Sequence, residues 1–220
     1  MASKTVNGVP VEAIVQDFED QPELVERIAH RKVKAPELAI EEPDPEWLEY
    51  FQVFETRITE VFEEETEDVK EKVAILAINH VGSTSVPRLP AKAVIDIDLV
   101  LSSVALPNEP YYVPRLEAAG FQYLLREPAW HGHRFFVASE PISCNLHVWG
   151  PQCPEVERHR IFRDWLREHE DDRELYAHIK RESAAISRDN GEMVMEYNLR
   201  KQGVIRQILT KAFKELEYVH

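Results

Sequence analysis

At 220 residues, with 44% hydrophobic and 30% charged side chains, the chain is long enough to enclose one sizeable core and has the make-up of an ordinary globular protein. Its 40 acidic residues against 26 basic ones give a net charge of −14, a mean field that repels nucleic acid, so no nucleic-acid partner is expected. No stretch approaches the roughly 18 apolar residues of a membrane span, no apolar segment follows Lys4 as in a secretory leader, and Cys144 and Cys153 make neither a Cys-x-x-Cys pair nor a disulfide framework; the default expectation is a reduced, cytoplasmic setting without a membrane partner.

In chain order, residues 1–42 read as an N-terminal extension of short helices or partial order, with Pro10, Pro22, Pro36 and the basic cluster Arg31-Lys32-Val33-Lys34. The rest, 43–220, reads as the principal domain. Asp44-Pro45 opens a helix, because Asp satisfies free N–H groups at an N-cap and Pro at the first helical position loses no bond. Trp47, Phe51, Phe54, Ile58 and Phe62 recur every three or four residues on its inner face. The acidic run Glu63–Asp68 reads as a solvated charged end. A strand is expected over Val73–Asn79, a turn-rich segment over His80–Lys92, and a strand over Val94–Leu101. That strand's alternation sets Ile95, Ile97, Leu99 and Leu101 against Val94, Asp96, Asp98 and Val100. A helix near Tyr112–Ala119 closes at Gly120, and strands follow at Phe121–Arg126, Arg134–Ala138 and Ser143–Trp149. From Pro154 to about 217 the pattern is helical. Ile161, Phe162, Trp165 and Leu166 form one stripe, Leu175, Ile179 and Ile186 a second, and Ile205, Ile208, Leu209, Ala212, Phe213 and Leu216 the last. The fold class is α/β (α+β): a small mixed sheet flanked by helices, with a C-terminal helical part.

Two aspartates two apart on a strand project from one face, so Asp96 and Asp98 can share a divalent cation. Mg²⁺ takes such carboxylates together with substrate phosphates. Just upstream, His80-Val81-Gly82-Ser83-Thr84-Ser85-Val86-Pro87 offers close backbone approach, N–H donors and hydroxyls, which suit a phosphate. A turn and a half-exposed Asp-x-Asp strand are each common apart; in this order they point to a phosphate cradle beside a metal pair.

The same segment, with Leu89, Ala91-Lys92 and Ile95-Asp96-Ile97, resembles the signature of the GrpB family (UPF0157), which also occurs fused to some dephospho-CoA kinases. The likeness continues in Asn145-Leu146-His147-Val148, in Phe162-Arg163-Asp164-Trp165-Leu166-Arg167, in Tyr176 with Lys180, and at Lys201, covering about residues 45–215. GrpB is similar to the nucleotidyltransferase superfamily of polymerase β-type fold. That resemblance implies a phosphate loop at Gly82 and Ser83, a Mg²⁺ pair at Asp96 and Asp98, and attack by a small-molecule or protein acceptor on the α-phosphate of a nucleotide. Two departures stand out. Where a later strand should supply a third carboxylate, the chain has Asn145 and His147, and Arg88 follows Pro87 where the family usually has glycine.

Lys92, Lys180 and Lys201 are basic residues at motif positions that can clamp a triphosphate. Arg163 and Arg167, at i and i+4 on a helix, can meet a phosphate or pair with Asp164 and Glu168. Two other readings remain: a non-catalytic binding or protein-interaction domain on the same fold, and a metal-assisted hydrolase in which His147, with His131 and His133, joins Asp96 and Asp98 around a metal.

Overall fold

A computed structural model describes residues 4–18, 21–63, 73–192 and 194–219. The acidic run from Glu64 to Asp68 lies outside them. The elements are β1 (Thr5–Val6), β2 (Val9–Pro10), α1 (Val11–Val15), β3 (Glu26–Arg27), α2 (Glu46–Glu63), β4 (Ile75–Val81), β5 (Val94–Leu101), α3 (Glu109–Ala118), β6 (Gln122–Glu127), β7 (His133–Ala138), β8 (Ser143–Trp149), α4 (Pro154–Glu168), α5 (Glu170–Asp189) and α6 (Val194–Glu215). The chain is thus the expected α/β mixture. A six-stranded sheet runs β3-β6-β7-β8-β5-β4, in which β5 and β8 are parallel and every other pair is antiparallel.

The first long helix begins where the N-cap chemistry requires: the Glu46 amide donates to Asp44 Oδ1 at 2.9 Å. Its stripe of Trp47, Phe51, Phe54 and Ile58 is buried with α3's Tyr112 and Leu116 against Ile95, Ile97, Leu99 and Leu101 of β5 and Leu146 and Val148 of β8. α3 starts at Glu109, earlier than periodicity suggests, because Pro110 fits the first turn of a helix. β4 starts and ends two residues later than expected, so His80 and Val81 belong to the strand and pair with Ile97 and Asp96.

The opposite sheet face is polar at its centre and is covered by the C-terminal helices. Val86 and Leu89, in the loop between β4 and β5, pack with Leu166, Tyr176, Ala177, Val204 and Ile208 from α4, α5 and α6. α5 departs from expectation: Ile186 is exposed and Leu175 and Ile179 are half-buried, whereas Asp172, Arg173, Tyr176 and Lys180 face inward. Burying such groups is tolerable because each is partnered. Asp172 accepts from Trp165 Nε1 at 2.8 Å and pairs with Lys211, and Arg173 Nη1 donates to the Leu166 carbonyl at 3.0 Å.

The N-terminal segment is tied into the structure. β3 extends the sheet on β6, and Val9 and Ile14 are buried with Ile161, Leu209, Ala212 and Phe213. Arg158 on α4 holds this segment by donating to the Ile14 carbonyl and to Asp17 Oδ1, both at 2.8 Å. Among the described residues, no helix is long and apolar enough to cross a membrane.

Candidate functional site

The Gly82-Ser83 loop leaves the C-terminal end of β4 and tightens into one 3₁₀ turn over Ser83–Ser85. Gly82 adopts φ 66° and ψ −168°, a region open essentially to glycine alone. A Cβ there would stand 2.3 Å from Asp96 Oδ2, so the missing side chain lets the loop rest directly on the first aspartate. Several residues expected on phosphate hold this loop in shape. His80 is buried, stacks on Phe51 at 4.7 Å between ring centroids, and pairs through Nε2 with Thr84 Oγ1 at 3.0 Å. Thr84 in turn donates to the Val94 carbonyl at 3.2 Å. Burial, followed by the charges of Arg167 and Arg163, pushes His80 down to about 4, so it is neutral. The Ser85 hydroxyl donates to the Gly82 carbonyl at 2.6 Å. From α4, Arg163 Nη1 donates to the His80 carbonyl at 3.0 Å, and Arg167 donates twice to the Ser85 carbonyl at 3.1 and 2.7 Å. His80, Thr84, Ser85, Arg163 and Arg167 thus hold the loop through these bonds, and the two arginines also pair with Asp164.

Around Asp96 the charge is positive. α5 carries Tyr176 and Lys180, α6 carries Tyr197 and Lys201, and in each pair, four residues apart, the ammonium lies over the ring, at 5.2 and 4.1 Å from the centroid. Lys92 approaches from the loop, and all three lysines act electrostatically on one another and on Asp96. Lys180 is 2% exposed and donates to the Pro90 carbonyl. Burial, then Lys201, pulls it well below the usual lysine range; burial and Lys92 bring Lys201 down to about 8. Ser83 bonds the Tyr176 hydroxyl. The Asp96 carboxyl is raised by burial, an effect opposed by the hydrogen bond from Asn145 Nδ2 at 2.8 Å and by Lys92 and Lys201. Gly82, Ser83, Lys92, Asp96, Lys180 and Lys201 thus share one neighbourhood.

Asp98 belongs to a different environment. It is 0% exposed, and both oxygens are engaged: Oδ1 accepts from Trp149 Nε1 and Oδ2 from His159 Nδ1, each at 2.8 Å. Burial raises its carboxyl, but the charge and hydrogen bond of His159, with the Trp149 hydrogen bond, outweigh that and hold it below the ordinary value. Burial alone would lower His159; the Asp98 charge and hydrogen bond reverse this and push it up to about 9. On β8, Asn145 stands opposite Asp96 and His147 opposite Asp98, with no acid at either register position. As arranged, the pair does not fit a Mg²⁺ site. One carboxylate is closed by an imidazolium and an indole, the adjoining donors are nitrogen where Mg²⁺ prefers oxygen, and among the described residues no three His, Cys, Asp or Glu side chains converge on a metal position.

The histidines expected around a transition metal form a hydrogen-bonded chain instead. His133 Nδ1 meets Glu127 Oε2 at 2.7 Å, and His133 Nε2 meets His147 Nδ1 at 3.0 Å. A neutral His133 that donates to Glu127 must accept from His147. Burial pushes both rings down to about 3, which keeps them neutral. His131 is elsewhere: it occupies an exposed turn at φ 49° before β7, apart from the strand that carries His133. Glu127 and His159 escape a reading of the sequence alone. His159 has a signal there, since it precedes Arg163 and Arg167 by four and eight residues and so lies on the same face of α4.

Comparison with known proteins agrees with this architecture. The chain is 37% identical over 171 residues to a UPF0157 protein of Halalkalibacterium halodurans, covering 78% of this chain and 80% of that one. It is 30% identical to a UPF0157 protein of Streptomyces coelicolor, covering 81% and 86%. A dephospho-CoA kinase of Mycolicibacterium paratuberculosis is 26% identical over 216 residues, with the chain spanning 50% of its length. In fold, it is similar to the crystal structure of the conserved protein GrpB from Enterococcus faecalis, at a TM-score of 0.65 and 23% identity, covering 81% of this chain and 99% of that one. The model of the GrpB protein family matches residues 37–211. The chain belongs to the GrpB family.

Proposed function

We propose that this chain binds a nucleoside triphosphate, with the phosphates lying between the Gly82-Ser83 loop and the Lys92, Lys180 and Lys201 side chains. The observation that carries this reading is the convergence of three lysines from three separate elements on a single carboxylate, Asp96. Lys180 is buried and Lys92 and Lys201 are half-buried, and bringing three such groups together is expensive unless an anion shares their charge. Tyr176 and Tyr197, buried beneath two of those lysines, fix the positions of the ammonium groups. Transfer of the nucleotidyl group to a small-molecule or protein acceptor extends this reading and draws on the aspartate pair. Asn145 and His147, standing where a third acid would be, favour binding without transfer.

Calorimetric titration of ATP, GTP, CTP and UTP, with and without Mg²⁺, tests the reading on the wild type, Lys180→Met and Lys201→Met. The expected result is a nucleotide that binds the wild type and loses about tenfold or more in affinity in either variant, the equivalent of roughly 1.4 kcal/mol. A wild type that binds none of the four overturns it.

A further inference from the structure

The aspartate pair is the place where sequence pattern and geometry part. A strand Asp-x-Asp beside a Gly-Ser loop is the pattern of a divalent-cation site, yet the second aspartate is fully buried with both oxygens engaged. A buried carboxylate is stable only when its charge is met, and here the partner is built into the fold. α4 follows β8 directly and lays His159 over β5, with Nδ1 on Asp98 Oδ2 at 2.8 Å. The same face of α4 carries Arg163 and Arg167, which hold the carbonyls of His80 and Ser85, so the imidazole is registered to the Gly82-Ser83 loop by two further turns of one helix.

Three features give this imidazole a role beyond neutralising Asp98. With Nδ1 committed to the carboxylate, the second ring nitrogen makes no hydrogen bond among the described residues, and 31% of the side chain is exposed. His159 also acts electrostatically on Asp96, which places it within range of the lysine cluster. Charge balance points the same way. With Lys180 left out, since burial pulls it well below the usual lysine range, Lys92, Lys201 and His159 when ionised still exceed Asp96 and Asp98 by one positive charge, and a divalent ion would raise that excess to three.

We infer that His159 stands in for the divalent cation of this site: Asp98 is a positioning residue that orients the ring, and the outward Nε2–H donates to an anionic oxygen of the bound ligand. No metal joins Asp96 to Asp98. The ligand contact rests on the anion-binding reading proposed above, whereas the absence of a metal between the aspartates does not.

Two titrations on the full chain separate these parts. In the first, Mn²⁺ is added to wild type and Asp98→Asn and followed by the electron paramagnetic resonance of free Mn²⁺. The expected result is no binding that depends on Asp98; Mn²⁺ bound by the wild type and lost in Asp98→Asn overturns the substitution of imidazole for metal. In the second, inorganic tripolyphosphate is titrated calorimetrically in the presence of EDTA against wild type, His159→Asn and Lys180→Met. Asn places an amide where Nδ1 was, so Asp98 keeps a donor while the outward N–H and the charge are removed. Binding by the wild type that falls about tenfold in His159→Asn is expected. Binding that falls in Lys180→Met but is unchanged in His159→Asn keeps the anion site and sinks the role of His159. If tripolyphosphate binds none of the three, the anion-binding reading and the ligand contact fail together, and the Mn²⁺ titration alone decides what faces Asp98. Where a variant fails to fold, the wild-type titrations still decide whether Mn²⁺ and tripolyphosphate bind at all.

Discussion

Two residues flanking one short loop show opposite uses of a positive φ. Gly82 needs its missing side chain twice, for φ 66° and for the approach to Asp96, where a Cβ would fall 2.3 Å from Oδ2. Gly82→Ala is expected to lower unfolding stability by at least about 2 kcal/mol, since left-handed backbone alone costs roughly 1–2 kcal/mol and the carboxylate must also move; a urea midpoint that does not shift would contradict this. Arg88 sits at φ 65° with a β-carbon it does not need, and its ion pair with Glu170 spans 3.7 Å with both side chains largely exposed. Such a pair contributes little. Arg88→Gly is therefore expected to raise stability by about 0.5–1 kcal/mol, the relief of strain slightly exceeding the extra chain entropy of glycine. The residue that departs from the family's usual glycine is thus a strained backbone position with a side chain facing solvent.

At the scale of elements, β4 to β8 and α2 are legible in the sequence because their faces alternate or repeat: β5 follows from Ile95, Ile97, Leu99 and Leu101, β8 from Cys144, Leu146 and Val148, and α2 from Trp47, Phe51, Phe54 and Ile58, whereas the two-residue β3 has no such pattern. α5 is not legible either, because its inner face is built from Asp172, Arg173 and Lys180, whose burial depends on partners in other elements that no periodicity encodes. The site is legible in the same measure. Gly82, Ser83, Asp96 and the three lysines can be gathered by motif, but the assignment of His159 to Asp98 arises only when α4 crosses β5. That crossing has a measurable pH signature. His159 holds its proton more tightly in the folded chain, near 9 against an ordinary 6.5, so the Asp98 bridge stabilises the fold fully below pH 6.5 and fades as pH rises through 9. The stability difference between wild type and His159→Asn is expected to shrink by roughly 2 kcal/mol across that interval, after allowance for the part-exposed ring. Lys201, which titrates near 8, affects both proteins alike and cancels in the difference. A difference that stays constant from pH 6.5 to 9 would show that the bridge is not an ion pair.

For the molecule as a whole, three packed clusters divide the work: one between the sheet and α2–α3, one between the loop and α4–α6, and one beneath the N-terminal segment. The third is the least legible in the sequence, because Val9, Val11 and Ile14 are too few and too irregularly spaced to announce a buried face. Deleting residues 1–17 would uncover the surface those three side chains cover and remove the bonds from Arg158. At about 1.5–3 kcal/mol for each buried side chain, the expected loss is roughly 4–9 kcal/mol, enough to unfold α4 and α6 locally or globally. Hydrogen exchange on the truncated chain, read at Ile161, Leu209 and Phe213, checks this; unchanged protection there would show that the segment only rests on the surface.

The position of that segment also orders events during synthesis. Val9 and Ile14 leave the ribosome early, but the side chains that enclose them, Leu209 and Phe213, are made about 200 residues later, a delay of roughly 10–40 s at ordinary elongation rates. Until α4 is made, with Ile161 and Arg158, Val9 and Ile14 have no native surface to join, and until α6 is made their pocket is incomplete, while the sheet and its parallel β5–β8 pair can already assemble. This segment is thus made well before the surface that encloses it, and its docking onto α4 and α6 closes the fold.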